Sequence, residues 1–357
     1  MRLRHARNPR ASSAKMAETK GVRDLSARLG ANRLLVQASS GNTSVKADDT
    51  LWIKASGKWL ADAASPDFLI PVALGRARAC LDDERAIPET EDTGGACASI
   101  ETAMHAALPY KVVVHVHSVN AIAWAVRTDA PRALRDCLDG FAWQWIPYTP
   151  SGTQLARLVQ DACHHNPKTD VFLLGNHGLV VCGESCDVAE RLLEEVERCL
   201  HVEARPAADP PEFAFSREEG NEGWGPPECA SIHGLAHDAL SRAILRGGVL
   251  YPCQALFLPS TVCAGERSLM TQMACLREHG RNQPMAVLFD KDRVLCSAEM
   301  TQSQREMLFG LSHVVRRIYK SSVVRYLSLS EVSEVLQGVG QYLAIANNQR
   351  ESHRELP

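Results

Sequence analysis

The chain has 357 residues, 45% of them apolar and 23% charged, with a formal net charge of −3. That length asks for two domains and that composition for a soluble globular protein. The near balance of charge excludes a broad electrostatic footprint for nucleic acid or anionic membrane, and no apolar run approaches the ~20 residues that a membrane-spanning helix needs.

In chain order, residues 1–18 come first. Their opening stretch MRLRHARNPRASSAK is basic, rich in Ala and Ser and free of acids, and is expected to be a disordered arm. From 19 to 205 apolar strands alternate with amphipathic helices. LWIKA, KVVVHVH, VFLL and LVVCG read as strands, and VFLLGNHGLVVCG predicts a hairpin turning at Gly175-Asn176-His177-Gly178. The stretch DVAERLLEEVERCLHVEA predicts a helix capped by Asp187, with Glu190 three residues on and an apolar stripe of Leu192, Leu193, Val196, Cys199 and Leu200. Residues 206–228, rich in Pro, Gly and charge, predict a linker.

Residues 229–357 read as a smaller α/β domain. SIHGLAHDALSRAIL predicts a helix, GVLYPCQALFL a strand pair or extended run, and PMAVLFDKDRVLCSAE a hairpin turning at Asp290-Lys291-Asp292. SQREMLFGLSHVVRRIY and SEVSEVLQGVGQYLA predict two helices, the second with Ser330 or Ser333 as its cap. The 12 cysteines are scattered through apolar segments, which suits reduced thiols in a cytoplasmic protein. There is no internal repeat, no glycine-rich nucleotide motif and no G-x-S-x-G.

Four features bear on chemistry. His115 and His117 alternate on one strand, so both imidazoles project from the same face; they are either polar decoration or part of a metal site. Glu101 stands at the start of a helix that ends near Pro109 and feeds that strand, where it either complements the helix dipole or reaches the imidazoles. His177 sits in the tight hairpin turn. The loops SSGNTSV (Ser39–Val45) and KASG (Lys54–Gly57) are either an anion nest or ordinary turn chemistry, with Lys54 on the same strand side as Ser56.

The ordered set SGNTSV, KASG, ASIETAMH, VHVHS, PYTPSG and NHGLVV resembles the class II aldolase and adducin-like family, which includes fuculose- and rhamnulose-phosphate aldolases, over about residues 20–205. The resemblance implies a three-layer αβα domain around a mostly antiparallel central sheet. It implies one catalytic Zn2+ per subunit, held by His115, His117 and His177, with Glu101 as the catalytic carboxylate. Gly41, Asn42, Thr43, Ser56, Gly57 and Ser99 become a cradle for a substrate phosphate. Lys54 resembles the lysine of a K-x-S-G element in larger sugar-phosphate aldolase chains, and His105 becomes a supporting residue. Three neutral imidazoles and an open position suit a catalytic rather than a structural zinc.

The activity so implied is reversible aldol cleavage of a small ketose phosphate or related hydroxy-keto substrate, through a zinc-stabilised enediolate with Glu101 as acid and base. Decarboxylation and dehydration use the same chemistry and are the alternatives. A non-catalytic adducin-like scaffold is a further one, although such chains typically lack the metal ligands present here. The small aldolases place a tyrosine proton donor before the PY element; APRALRDCLDGFAWQW has none, which leaves Tyr148 as the candidate. The resemblance further implies a homotetramer with sites shared between neighbours. The 229–357 region is expected to pack beside the active site or between subunits and to bias substrate choice.

Overall fold

The computed structural model describes residues 9–82, 96–207, 223–258, 287–290 and 293–338. Among them the central element is a seven-stranded sheet in the order β3-β2-β1-β4-β7-β6-β5. The strands are β1 (Asn42–Ala47), β2 (Thr50–Lys54), β3 (Leu69–Ala73), β4 (Val112–Val116), β5 (Trp143–Ile146), β6 (Val171–Leu174) and β7 (Gly178–Gly183). Neighbours pair antiparallel except β5 with β6, so the sheet is mostly antiparallel as expected.

Strand β4 is buried along its whole length, which its valine run requires. Val112, Val114 and Val116 pack on one face against Val22 and Leu25 of α1 (Pro9–Gly30) and Leu193 and Val196 of α7 (Cys186–Leu200). Val113 packs on the other face against Met104 of α3 (Thr102–Ala107) and Leu155 and Val159 of α6 (Thr153–His165). This period of two gives the αβα layering and places His115 on the α3 side.

Several local expectations are corrected. Residues 9–18, expected in a disordered arm, belong to α1; Val22, Leu25 and Leu29 anchor that helix in the core, and Lys111 Nζ donates to Glu18 Oε1 at 2.5 Å. Residues 1–8 lie outside the described residues, as do 208–222 of the expected linker. Helix α7 is capped by Ser185, not Asp187: the Ser185 hydroxyl accepts from the Val188 amide, and Asp187 sits within the first turn.

The C-terminal part carries a three-stranded sheet, β8 (Trp224–Gly225), β10 (Arg293–Ser297) and β9 (Val287–Asp290), in that order. The β9–β10 pairing is the expected hairpin, its turn residues 291–292 lying outside the described set. The expected single helix over SIHGLAHDALSRAIL is two, α8 (Ala230–His237) and α9 (Ala239–Gly247). Asp238 takes an extended conformation and its carboxylate accepts from the Leu240 and Ser241 amides, which ends one helix and starts the next. PCQALF, expected extended, is the helix α10 (Pro252–Phe257), with Pro252 in its first turn where the missing N–H has no cost. Helix α11 (Gln302–Val315) opens with a Thr301–Gln304 capping box. Residues 329–338 are helical, and the cap is Ser328 in exchange with Glu331, rather than Ser330 or Ser333.

The two parts share a core. Val119, Ile122 and Val126, on and just beyond α4 (Val119–Ala125), pack against Ile232, Leu235, Ile244, Met307 and Leu311 of the C-terminal part. That contact brings α10 and the 329–338 helix beside the end of β4 that bears the histidines.

Candidate metal centre and its cavity

His115 and His117 come from β4 and the residue just past it, and His177 from the β6–β7 turn. The turn is closed by Asn176 at φ 51°, a left-handed conformation that asparagine tolerates. Gly178 follows, where a Cβ would lie 2.6 Å from the Val116 carbonyl oxygen, so only glycine lets the turn approach β4. The three rings are nearly perpendicular to one another, with centroids 4.8, 4.9 and 5.0 Å apart. One ring nitrogen from each lies within 4.8 Å of the others.

The chemistry of this set fits a divalent ion. His115 Nδ1 lies 3.0 Å from the Leu179 carbonyl oxygen; a carbonyl only accepts, so Nδ1 carries the proton and Nε2 presents its lone pair. That Nε2 faces His117 Nε2 at 3.0 Å, close to the ~3.3 Å between two imidazole nitrogens on one tetrahedral zinc. Burial holds His117 well below the usual histidine range and lowers His177 to about 4, so both are neutral, as metal binding would require.

Glu101 precedes α3 at φ −95° and ψ 8°, and its carboxylate caps no helix amide. It turns instead to the histidines: Oε1 lies 3.3 Å from His177 Nε2 and Oε2 3.6 Å from His115 Nε2. Asn42 Nδ2 donates to Oε2 at 2.7 Å, and the Ser151 hydroxyl donates to Oε1 at 3.2 Å. The carboxylate is 5% exposed. Burial alone would raise its pKa, but the three facing imidazoles and the Asn42 amide outweigh it and hold the group well below the usual carboxylate range. Asn42 reaches it because β1 pairs with β4 in a register that sets Asn42 opposite His115. Two residues on, Ser44 meets His105 Nδ1 at 2.7 Å, which places His105 behind the site.

These groups open on a cavity of about 440 Å3. Of the residues singled out in the sequence, Gly41, Asn42, Lys54, Ser56, Gly57, Ser99, Glu101, His117 and His177 line it. Gly41 has φ 66° and a Cβ there would meet the His115 carbonyl oxygen at 2.7 Å, so glycine brings this loop against β4. Lys54 is 2% exposed and donates to the Ser39 and Lys58 carbonyls at 3.1 and 2.6 Å, tying the two glycine loops together. Burial lowers its ammonium to about 8, against the opposing pull of Glu101 and Cys253.

Three candidates do not line the cavity, the first being His115, which is fully buried. Thr43 points to the opposite sheet face, where its hydroxyl meets Ser26 Oγ at 2.6 Å; strand alternation separates it from Asn42. Tyr148 packs beneath the Arg325 guanidinium, 5.0 Å from its ring centroid, with its hydroxyl enclosed and without a hydrogen-bond partner. Burial raises that phenol to about 12.

Sequence reasoning placed Ser39 and Ser40 in the SSGNTSV loop without singling them out, and missed Ser151, although PYTPSG contained it. It also missed the C-terminal contribution. Cys253 Sγ lies 3.3 Å from His117 Nδ1, and burial raises this thiol to about 12, so it remains protonated. Asn176 Nδ2 donates to the Leu250 and Arg325 carbonyls at 2.8 and 2.9 Å, and Arg325 Nη1 donates back to Asn176 Oδ1 at 3.0 Å. The C-terminal part thereby buttresses the surroundings of His117 and His177.

Comparison with known proteins gives a consistent result. The family model described as Class II Aldolase and Adducin N-terminal domain matches residues 22–204. Over 206 residues the chain is 28% identical to "Uncharacterized oxidoreductase YuxG" of Bacillus subtilis, covering 51% of this chain and 30% of that protein. It is 26% identical to methylthioribulose-1-phosphate dehydratase of Citrobacter koseri, covering 47% of this chain and 85% of that one. It is 31% identical to 3-oxo-tetronate 4-phosphate decarboxylase of Escherichia coli O6:H1, covering 36% and 67%. The chain thus spans under a third of the first of these relatives. Among solved structures, the N-terminal class II aldolase domain of a conserved protein from Thermoplasma acidophilum aligns with a TM-score of 0.45 at 23% identity, covering 56% of this chain and 96% of that one.

Proposed function

The chain belongs to the class II aldolase and adducin N-terminal domain family, and on that premise we propose that it is a zinc-dependent lyase that reversibly cleaves a carbon–carbon bond in a small ketose phosphate or related hydroxy-keto substrate. The observation behind this reading is the Glu101 carboxylate set between His115 and His177 in a cavity that also holds Lys54. Zinc held by His115, His117 and His177 would supply a Lewis acid for charge developing on a substrate oxygen.

The chain's own residues do the rest. Asn42 holds Glu101 Oε2 at 2.7 Å and so fixes the carboxylate plane. Oε1, with the longer Ser151 contact, is the oxygen free to take up and return a proton. In cleavage the ionised Glu101 takes the proton of the hydroxyl whose carbon becomes the aldehyde and returns it to the carbon left with the charge once the bond has broken; in synthesis both transfers run in reverse. Lys54 and the serines of the glycine loops face the substrate's phosphate.

A second reading is decarboxylation or dehydration on the same site. It is favoured by the position of Tyr148: among the described residues no phenol lines the cavity, and loss of carbon dioxide requires one proton delivery, which Glu101 alone can make. The deciding experiment supplies zinc-loaded protein with ketose 1-phosphates and with phosphorylated 3-oxo acids, and follows aldehyde release against carbon dioxide release. Turnover that persists undiminished in Glu101→Gln, or binding of neither substrate class, ends the proposal. A homotetramer in the cytoplasm completes it, with sedimentation as the check on assembly.

A further inference from the structure

The cavity has two unlike sides. The N-terminal side presents Lys54, the serines of the glycine loops, Asn42 and Glu101. The opposite side comes from the C-terminal part, chiefly Pro252, Leu256 and Phe257 of α10 and Val335 of the 329–338 helix. Among the described residues, the one charged group on that side is Glu334, which is exposed. The α10 segment reads Tyr-Pro-Cys-Gln-Ala-Leu-Phe and carries no charge. Its one polar group near the histidines, the Cys253 thiol, is already engaged with His117.

Position along α10 sets where this apolar side begins. Cys253 touches a histidine of the candidate metal centre, and Leu256 and Phe257 follow three and four residues later, about 4.5–6 Å further along the helix axis. A substrate whose reacting atoms sit at the histidines therefore meets these side chains with the carbons of its tail. A hydroxylated tail there would exchange water for hydrocarbon and leave its hydroxyls unpaired. An alkyl or thioether tail would gain contact instead.

We propose that α10 and the 329–338 helix form a specificity wall, selecting substrates with a phosphorylated, oxygenated head and an apolar tail, over polyhydroxylated sugar phosphates. This rests on the lyase reading, because the head is placed by the zinc site and the phosphate loops. Leu256, Phe257 and Val335 are the specificity-determining residues.

The test measures binding to the zinc-loaded, full-length Glu101→Gln protein, whose turnover is expected to be too slow to disturb a titration, by calorimetry with ribulose 1-phosphate, 5-deoxyribulose 1-phosphate and the 5-deoxy-5-methyl homologue. The deoxy compound is expected to bind about tenfold more tightly than the hydroxylated one. The added methylene is expected to bring about a further fourfold. Leu256→Asn, and separately the near-isosteric Val335→Thr, should remove most of that preference while zinc content stays at the parent value and a cooperative thermal transition is retained. Two variants are used so that misfolding of one leaves the other decisive. Equal affinity for the deoxy and hydroxylated compounds overturns the wall and leaves the lyase reading intact. Binding of none of the three overturns that reading, and the wall with it.

Discussion

The Asn42 amide donates to Glu101 Oε2 at 2.7 Å, joining the first residue of β1 to the residue that opens α3. Both elements pack around β4, so the carboxylate is held by its strand neighbour and not by its own helix. Hydrogen bonds to a charged, buried group are worth roughly 1.5–3 kcal/mol. Asn42→Ala is expected to lower kcat about ten- to hundredfold with zinc still bound, because the carboxylate loses its fixed plane. Steady-state kinetics beside metal analysis would check it, and unchanged kcat would show that the contact does not matter to turnover.

Metal binding and proton transfer should separate cleanly. His115→Ala and His177→Ala are expected to abolish stoichiometric zinc. Glu101→Gln is expected to keep the metal and lose about 10²–10⁴ of turnover. Chelation should inactivate the parent protein and added zinc restore it. Metal content by elemental analysis reads the first outcome and kinetics the second.

Anion affinity should fall with rising pH. Burial brings Lys54 to about 8, so its ammonium is charged below that pH and neutral above it. A bound anion favours the charged form and moves the midpoint somewhat higher. Sulfate keeps its own charge across neutral and alkaline pH, so weakening of sulfate binding above about 8 reports the protein. Lys54→Met should bind sulfate weakly at every pH, with the slope gone. A parent protein without that slope would remove Lys54 from anion recognition.

The His177 turn depends on the C-terminal part. Asn176→Ala removes the bonds to Leu250 and Arg325 and keeps a left-handed φ that alanine resists. The expected cost is about 2–4 kcal/mol of stability together with weaker zinc binding. Asn176→Gly relieves the backbone alone and should recover only part of the loss. Denaturant unfolding and competitive zinc titration measure the two effects.

A chain ending at residue 205 is expected to be insoluble or loosely packed. It would expose Val119, Ile122 and Val126, which now face Leu235, Met307 and Leu311. Dye binding to exposed apolar surface and the spread of amide resonances would decide.

Much of the centre was legible in the sequence because its signals are local. Period-two alternation put His115 and His117 on one face, and the Gly-Asn-His-Gly turn announced the hairpin that returns His177 to them. The family resemblance supplied their joint role. What was not legible depends on contacts between distant segments. Thr43 lies one residue from Asn42, yet strand alternation sends it to α1, and nothing in SGNTSV tells which of the two faces the core. Tyr148 adjoins the right motif but is claimed by Arg325, 177 positions later. PCQALF read as extended because its apolar residues lack spacing, while Pro252 in a first helical turn was the clue to α10. Ser185 beat Asp187 as a cap by being extended two residues earlier.

The contact of Cys253 with His117 has a bearing on how such a protein can be re-engineered. Grafting a C-terminal region from a homologue is an attractive way to exchange tail preference without touching the reacting groups. Here the graft also replaces the neighbour of an imidazole of the candidate metal centre and the anchor of the His177 turn. A working chimera must therefore transplant tail selectivity while conserving Cys253, Leu250 and Arg325 at its seams, and libraries that randomise α10 wholesale will yield mostly metal-poor proteins.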